Sequence, residues 1–430
     1  NFWNTRALGD IPPLLMTDGP HGLRKQLDPS DMLGINASEP STCFPTAVTT
    51  ASSWDTSLLE RIGEAIGEEA NTLGIGLVLG PGANIKRNPL CGRNFEYFSE
   101  DPLLSGKMAA SFIRGIQKNG TSACLKHFSC NNQEKCRFNS DSVIDKRSMR
   151  EIYFRPFEIA VKEARPAAVM SAYNKINALH CSDSKLLLNN TLRNEWGFDG
   201  MVVTDWGGMN NRIHAFKAGC DLNMPGGANY MHDDCVEAVK LGNLAEECID
   251  RSALRVAKLM DKASDALKTQ ETFSIDNHHD LAREAAEAGA VLLQNDGILP
   301  LKKDQEIALI GHMASEARYQ GAGSSHIVPF KIVPPKVAMP DADFAEGYDL
   351  NGDTNDAMLE EAKSLAGNVD VAIVFAGLPK SYEAEGIDRK DLKMPEGQVK
   401  LIEAVANTNP NTVVVLCCGS VVECPWADKV

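Results

Sequence analysis

Residues 200–208 read Gly-Met-Val-Val-Thr-Asp-Trp-Gly-Gly. The apolar and β-branched run Met201 to Thr204 lacks polar alternation. That suits a parallel strand covered on both faces, and such sheets place chemistry at the carboxyl ends of their strands. Asp205 stands at that end. Trp206 offers an apolar wall beside it, while Gly207 and Gly208 permit a sharp exit and the close approach of a ligand. A strand-end aspartate also serves commonly as a cap for the next turn or helix, so these nine residues leave Asp205 either structural or catalytic.

Outward from this stretch, strand-like runs recur at 13–16, 47–50, 76–79, 123–126, 167–171 and 220–223, seven in all with 201–204. Between them the apolar residues take helical spacing. Leu58, Leu59, Ile62, Ala65, Ile66 and Leu73 share one face of a helix over 57–73, opened by a Ser57/Glu60 capping box and closed by Gly74. Ser148 and Glu151 repeat the capping signal before a helix over 152–161, which Pro156 is expected to kink. Further helices are expected over 103–117, 185–195 and 233–267, the last broken near Gly242. Strands alternating with helices and ending in polar residues predict a (β/α) barrel over 1–264.

A stretch rich in Thr, Asp, Ser and Asn over 265–280 reads as a linker. A second α/β domain with a parallel sheet is expected over 281–430, with strands at 307–310, 369–375 and 413–417. Its helices are expected at 357–365 and 398–406, after an Ala-rich helix over 278–293 that leads in from the linker. The chain opens at Asn1 rather than Met and stops soon after a strand, so sequence is expected to be missing at both ends.

The net charge of −15 argues against nucleic acid or an anionic membrane surface as partner and favours a neutral or cationic ligand. No apolar run is long enough for a membrane span. Cys124, Cys130 and Cys136 recur evenly but without a CxxC pair or matching histidines. The twelve cysteines therefore read as thiols rather than a metal site, and their usage fits a reducing, cytoplasmic location. No Gly-rich phosphate loop is present, so no cofactor is indicated.

The polar residues at the strand ends are Asp18, Arg24, Arg93, Lys126, His127, Arg137, Tyr173 and Asp205. If a barrel gathers them, they form a ring of charge-assisted hydrogen-bonding groups suited to a neutral polyhydroxylated ligand. Each has a plain structural reading too: Thr17–Arg24 as a turn, Lys126-His127 as a satisfied core pair. A second acid is available on the charged loop Glu383–Arg389, where Glu383 or Glu385 can reach across a domain cleft. Gly321–Ser325 is a flexible turn with two hydroxyls.

Taken in order, TDGPHGLR at 17–24, NPLCGRNFEYFSEDP at 88–102, LKHFSCNNQEKCR at 125–137, VMSAYN at 169–174, VVTDWGG at 202–208, GAGSS at 321–325 and SYEAEGIDR at 381–389 resemble glycoside hydrolase family 3, particularly its bacterial β-glucosidases. The resemblance implies a (β/α)8-type barrel followed by an α/β/α sandwich, with the site between them. It implies Asp205 as nucleophile and Glu385 as acid/base. Asp18, Arg24, Arg93, Lys126, His127, Arg137, Met170, Tyr173 and Trp206 would line the glucose subsite, with Ser324 a weaker match.

The implied activity is that of an exo-acting retaining β-glucosidase on small glucosides or oligosaccharides, with no cofactor and no metal. In such an enzyme Asp205 is expected to stay ionised and Glu385 to hold its proton near neutral pH. Lys126-His127 is followed by Phe-Ser-Cys-Asn-Asn, without the Asp-His pair of the family's N-acetylglucosaminidases. A β-xylosidase of the same family remains open. So do a Schiff-base aldolase built on Lys126 and a non-catalytic sugar-binding protein.

Overall fold

The computed structural model describes residues 3–27, 36–227, 229–269 and 272–430. Strands β1 (Met16–Asp18), β2 (Leu77–Leu79), β3 (Ser122–Phe128), β4 (Ala168–Ser171) and β5 (Met201–Thr204) hydrogen-bond in that order as one parallel sheet. Leu222 extends it by a single parallel bridge to Val203. The alternation of side chains divides this sheet between two cores. Leu77, Leu79, Cys124, Ala168, Met170, Met201 and Val203 point to one, and Val78, Ala123, Leu125, Val169 and Val202 to the other. Each buried aliphatic side chain contributes roughly 1.5–3 kcal/mol, so a one-residue slip of any strand would exchange both faces at prohibitive cost.

The outer core is closed by helices α1 (Ala47–Ser52), α2 (Thr56–Thr72), α3 (Pro102–Lys118) and α4 (Arg155–Ala164). The inner core is closed by Trp3, Trp206 and Met224 with Leu259, Met260 and Ala263 of α5 (Glu246–Ala266). A helix thus covers part of what further strands would enclose. Among the described residues the first domain is barrel-like, with five strands in its sheet.

Several expectations are corrected. The run 47–50 is helical rather than extended, because a short apolar segment fits either state and here it lies against α6 (Ile275–Gly289). The strand expected at 13–16 is displaced to Met16–Asp18. Asp55, not Ser57, caps α2, accepting from the amides of Ser57 and Leu58. Asp145, not Ser148, caps the next start. Pro156 does not kink a helix: it occupies the first turn of α4, where a missing N–H costs nothing. The helix over 233–267 breaks at Gly242 as expected, into α5 and a segment that starts earlier, Asn229–Lys240. Of the expected linker, residues 270 and 271 lie outside those described, and α6 ends at Gly289, short of 293.

In the second domain β6 (Ile307–Ile310), β7 (Asp343–Ala345), β8 (Val371–Gly377) and β9 (Thr412–Cys417) form a parallel sheet in the order β7-β6-β8-β9. Strand β7 was not expected, since three residues carry no periodic signal. Helices α7 (Asp356–Ala366) and α8 (Glu396–Thr408) cover one face. The other is covered by Ile298, Leu301, Met339 and Ala342 rather than by a long helix, among the described residues.

Candidate active site

Strand ends deliver most of the expected groups to one pocket. Asp18 closes β1, Lys126 and His127 lie where the pairing of β3 with β4 shifts register, and Met170 lies in β4 with Tyr173 just beyond it. Asp205 and Trp206 follow β5. Arg93 from a barrel loop lines the same pocket, as do Ser324 and Glu385 from the second domain. Arg24 and Arg137 stand behind this wall: Arg24 Nη1 lies 3.8 Å from Asp18 Oδ2, and Arg137 Nη1 lies 2.6 Å from Glu385 Oε1.

The capping reading of Asp205 fails, because Asn211 caps the next helix through the His214 amide. Instead Asp205 Oδ1 accepts from the Trp206 amide at 2.8 Å, leaving Oδ2 buried without a hydrogen-bond partner, 3.5 Å from His127 Nε2. Asp18 Oδ2 and Arg93 Nη1 are likewise buried and unsatisfied. Buried polar atoms are nearly always paired, so these three leave unused hydrogen-bonding capacity around one pocket. Lys126 Nζ, 3.4 Å from Asp18 Oδ1, adds a donor.

The loop bearing Glu385 lies against the Gly321–Ser325 turn. The Glu385 amide donates to the Ala322 carbonyl at 2.9 Å, and the Ser324 amide donates to Glu385 Oε2 at 2.8 Å. Gly323 makes this approach possible: at φ +119° a side chain there would be strained and would collide with Cβ of Glu385. Glu383 turns away into the second domain, accepting from the Gly419 amide and the Ser420 hydroxyl. Of the two glutamates on this loop, Glu385 alone faces the pocket.

The two pKa shifts run in the opposite direction to the expected division of protonation, Asp205 being raised and Glu385 lowered. Burial raises the Asp205 pKa, opposed by Arg93 and reinforced by Glu385. Burial also raises Asp18 to about 6, against Lys126 and Arg24. Glu385 is buried too, yet Arg93, Arg137 and the Ser324 hydrogen bonds outweigh desolvation and hold it well below the usual carboxylate range. The reason is position: Glu385 Oε1 lies 2.6 Å from Arg137 Nη1 and 3.7 Å from Arg93 Nη1, so Glu385 belongs to an ion-pair cluster. Burial and the same cations keep His127 neutral.

Sequence reading missed several supporting residues. Trp3 lines the pocket and packs against Trp206 in a tilted arrangement with centroids 4.9 Å apart; its aromatic character was the only signal. Asn84 brackets His127 through both backbone groups, and the Tyr97 hydroxyl lies 3.1 Å from its Nδ1. Glu96 pairs with Arg93 at 2.7 Å, and Glu134 with Arg137 at 2.8 Å. The i,i+3 spacing of both pairs was visible in the chain. Among the described residues no cluster of three His, Cys, Asp or Glu is placed to hold a metal, the cysteines are free, and no helix is long and apolar enough to cross a membrane.

Residues 8–259 match the glycosyl hydrolase family 3 N terminal domain and residues 290–430 its C-terminal domain. The chain is 50% identical to thermostable β-glucosidase B of Acetivibrio thermocellus, over 100% of its own length and 58% of that protein's. It is 44% identical to an exo-α-(1→6)-L-arabinopyranosidase of Bifidobacterium longum, over 97% of this chain and 57% of the relative. β-Glucosidase 3B from Thermotoga neapolitana, solved in complex with α-D-glucose, superposes with a TM-score of 0.88 at 35% identity, covering 99% of this chain and 65% of the other. The chain therefore spans less than two thirds of the length of each.

Proposed function

The chain belongs to glycosyl hydrolase family 3, and from that premise we propose that it acts as an exo-acting retaining β-glucosidase on terminal non-reducing β-D-glucosyl residues. One observation carries the proposal: two carboxylates from different domains, Asp205 and Glu385, line a single pocket ringed by hydrogen-bonding groups. Asp205 is the nucleophile. Its Oδ1 is fixed by the Trp206 amide, which leaves Oδ2 to form the bond to the anomeric carbon. Glu385 gives a proton to the departing glycosidic oxygen, then takes one from the water that displaces Asp205, so the anomeric carbon is inverted twice and retained.

To act as acid Glu385 must first gain a proton. A sugar that enters between the domains and loosens the contacts from Arg93 and Arg137 would raise its pKa toward that task. Asp18, Lys126, Arg93 and His127 bind the sugar hydroxyls, Arg24 and Arg137 support Asp18 and Glu385 from behind, and Met170, Tyr173, Trp206 and Ser324 complete the wall. The finer architecture follows the family, a (β/α)8-type barrel over 1–264 and an α/β/α sandwich over 281–430 joined through 265–280, with a small glucoside or oligosaccharide as substrate.

An activated 2-fluoro β-glucoside tests the reading: a covalent adduct mapped to Asp205 is expected, and binding without adduct would leave a sugar-binding protein. A second reading, a pentopyranosidase, is favoured by the arabinopyranosidase relative. Relative kcat/KM on aryl β-glucoside, β-xyloside and α-L-arabinopyranoside decides between them.

A further inference from the structure

The loop that presents Glu385 is held by a reciprocal clasp between the domains. The Asp388 carboxylate accepts from three backbone amides of the barrel domain: Gly92 at 3.1 Å, Glu134 at 2.9 Å and Lys135 at 2.8 Å. In the opposite direction the Glu134 carboxylate, 2% exposed at the residue level, accepts from the Gly386 amide at 2.7 Å. The Arg389 amide donates to the Leu90 carbonyl at 2.8 Å. Residues 386, 388 and 389 are thus all tied to two barrel loops, 90–92 and 134–135, immediately after the glutamate they carry. Gly92 sits so close beneath the loop that a Cβ there would collide with the carbonyls of Ile387 and Ala384.

We propose that Asp388 is a positioning residue for the acid/base: by clamping the 386–389 turn onto the barrel it sets where Glu385 stands relative to the glycosidic oxygen above Asp205. The inference rests on the retaining mechanism proposed above and adds a group that touches neither substrate nor reacting atoms. Three amides converging on one carboxylate form a directional anchor, which a merely solvated loop acid would lack. Glu134 complements it. Its single carboxylate bonds Arg137 and the Gly386 amide together, joining the cation that neutralises Glu385 to the backbone that carries it. A catalytic group supplied by a loop needs such supports, because displacement by about 1 Å can cost on the order of 100-fold in rate.

The test uses the leaving group as a ruler. Departure of a dinitrophenolate needs little proton donation, whereas departure of a sugar or methanol needs a well-placed acid. Asp388→Ala and, from the other side of the clasp, Gly92→Ala should each lower kcat/KM for cellobiose and methyl β-glucoside by about 100-fold but that for 2,4-dinitrophenyl β-glucoside by about threefold or less. Azide should accelerate both variants on the activated substrate by giving β-glucosyl azide, since attack on the glycosyl-enzyme then needs no base. Glucose should bind as in the parent chain. Equal losses on all three substrates, or no loss on cellobiose, would overturn the clasp as a positioning device. A parent chain inactive on all three would instead overturn the β-glucosidase reading and this inference with it. Two variants on opposite domains keep the result decisive if one of them fails to fold.

Discussion

Asp205 and Glu385 meet in one pocket but are held there by opposite means. Asp205 follows a four-residue strand whose side chains are committed to two cores, so its position is inherited from the sheet. Glu385 lies on a loop without regular structure, and its place depends on bonds to Ser324, Ala322, Gly92, Glu134 and Lys135, most of them far away in sequence. Their electrostatics differ in the same way. Asp205 suffers desolvation only partly offset by cations, while Glu385 is the focus of two arginines. A strand end thus delivers a carboxylate with its charge strained, and a docked loop delivers one with its charge satisfied.

The largest expected effect that sharpens this contrast is on turnover. Asp205→Asn should lower kcat by roughly 10⁵-fold while glucose binding, followed by calorimetry, persists. Glu385→Ala should cost about 10²–10⁴-fold on cellobiose, with azide restoring turnover of activated glucosides. If Asp205→Asn were the variant that azide rescued through a base role, the two assignments would have to be exchanged.

Stability should separate the two carboxylates by sign. Asp205 has a raised pKa, so its ionisation above that value costs folding energy. Asp205→Asn should raise Tm at pH 7, with the gain fading as the pH falls through the range where Asp205 regains its proton. Asp18, raised from 3.8 to about 6, belongs with it: Asp18→Asn should raise Tm at pH 7, and the gain should fade as the pH falls from about 6 to about 4. Glu385 is depressed, so it contributes stability above its unfolded pKa that is lost on acidification. Glu385→Gln should therefore lower Tm at pH 7, and the deficit should shrink as pH falls below about 4.5. Tm shifts of the same sign for Asp205→Asn and Glu385→Gln at pH 7 would break the comparison.

The smallest expected effect is at Glu383, which shares the loop but bonds Gly419 and Ser420 inside the second domain. Glu383→Gln should leave cellobiose turnover within about threefold and show no azide response, because its contacts are local to the fold. A loss matching that of Glu385→Ala would show that the loop presents a different acid.

Much of the site could be read from the chain, because strand-end polar residues are local features. Asp18, Lys126, His127, Tyr173 and Asp205 each follow or end an apolar run, and the structure brings all five to one pocket. The limits were physical as well. The apolar run at 47–50 is too short for periodicity to separate strand from helix, and it took the state its neighbours could cover. Capping assignments slipped by two or three residues, since Asp55 and Asp145 compete with the serines downstream for the same amides. The arginines that lower the Glu385 pKa were not legible beside it, because Arg93 and Arg137 approach it from 292 and 248 positions away.

By itself the sequence determined the alternation of strands and helices in both halves, the carboxylate at the end of 201–204 and the acidic loop that could supply its partner. Those are matters of side-chain period and local backbone preference, which a few neighbouring residues dictate. Only the tertiary structure decided which glutamate faces the pocket, that α5 covers the inner core and that Asp388 and Glu134 bind the domains to each other. Such choices depend on through-space hydrogen bonds and Coulomb energies between groups hundreds of residues apart, and these acquire values only once the chain has closed around them.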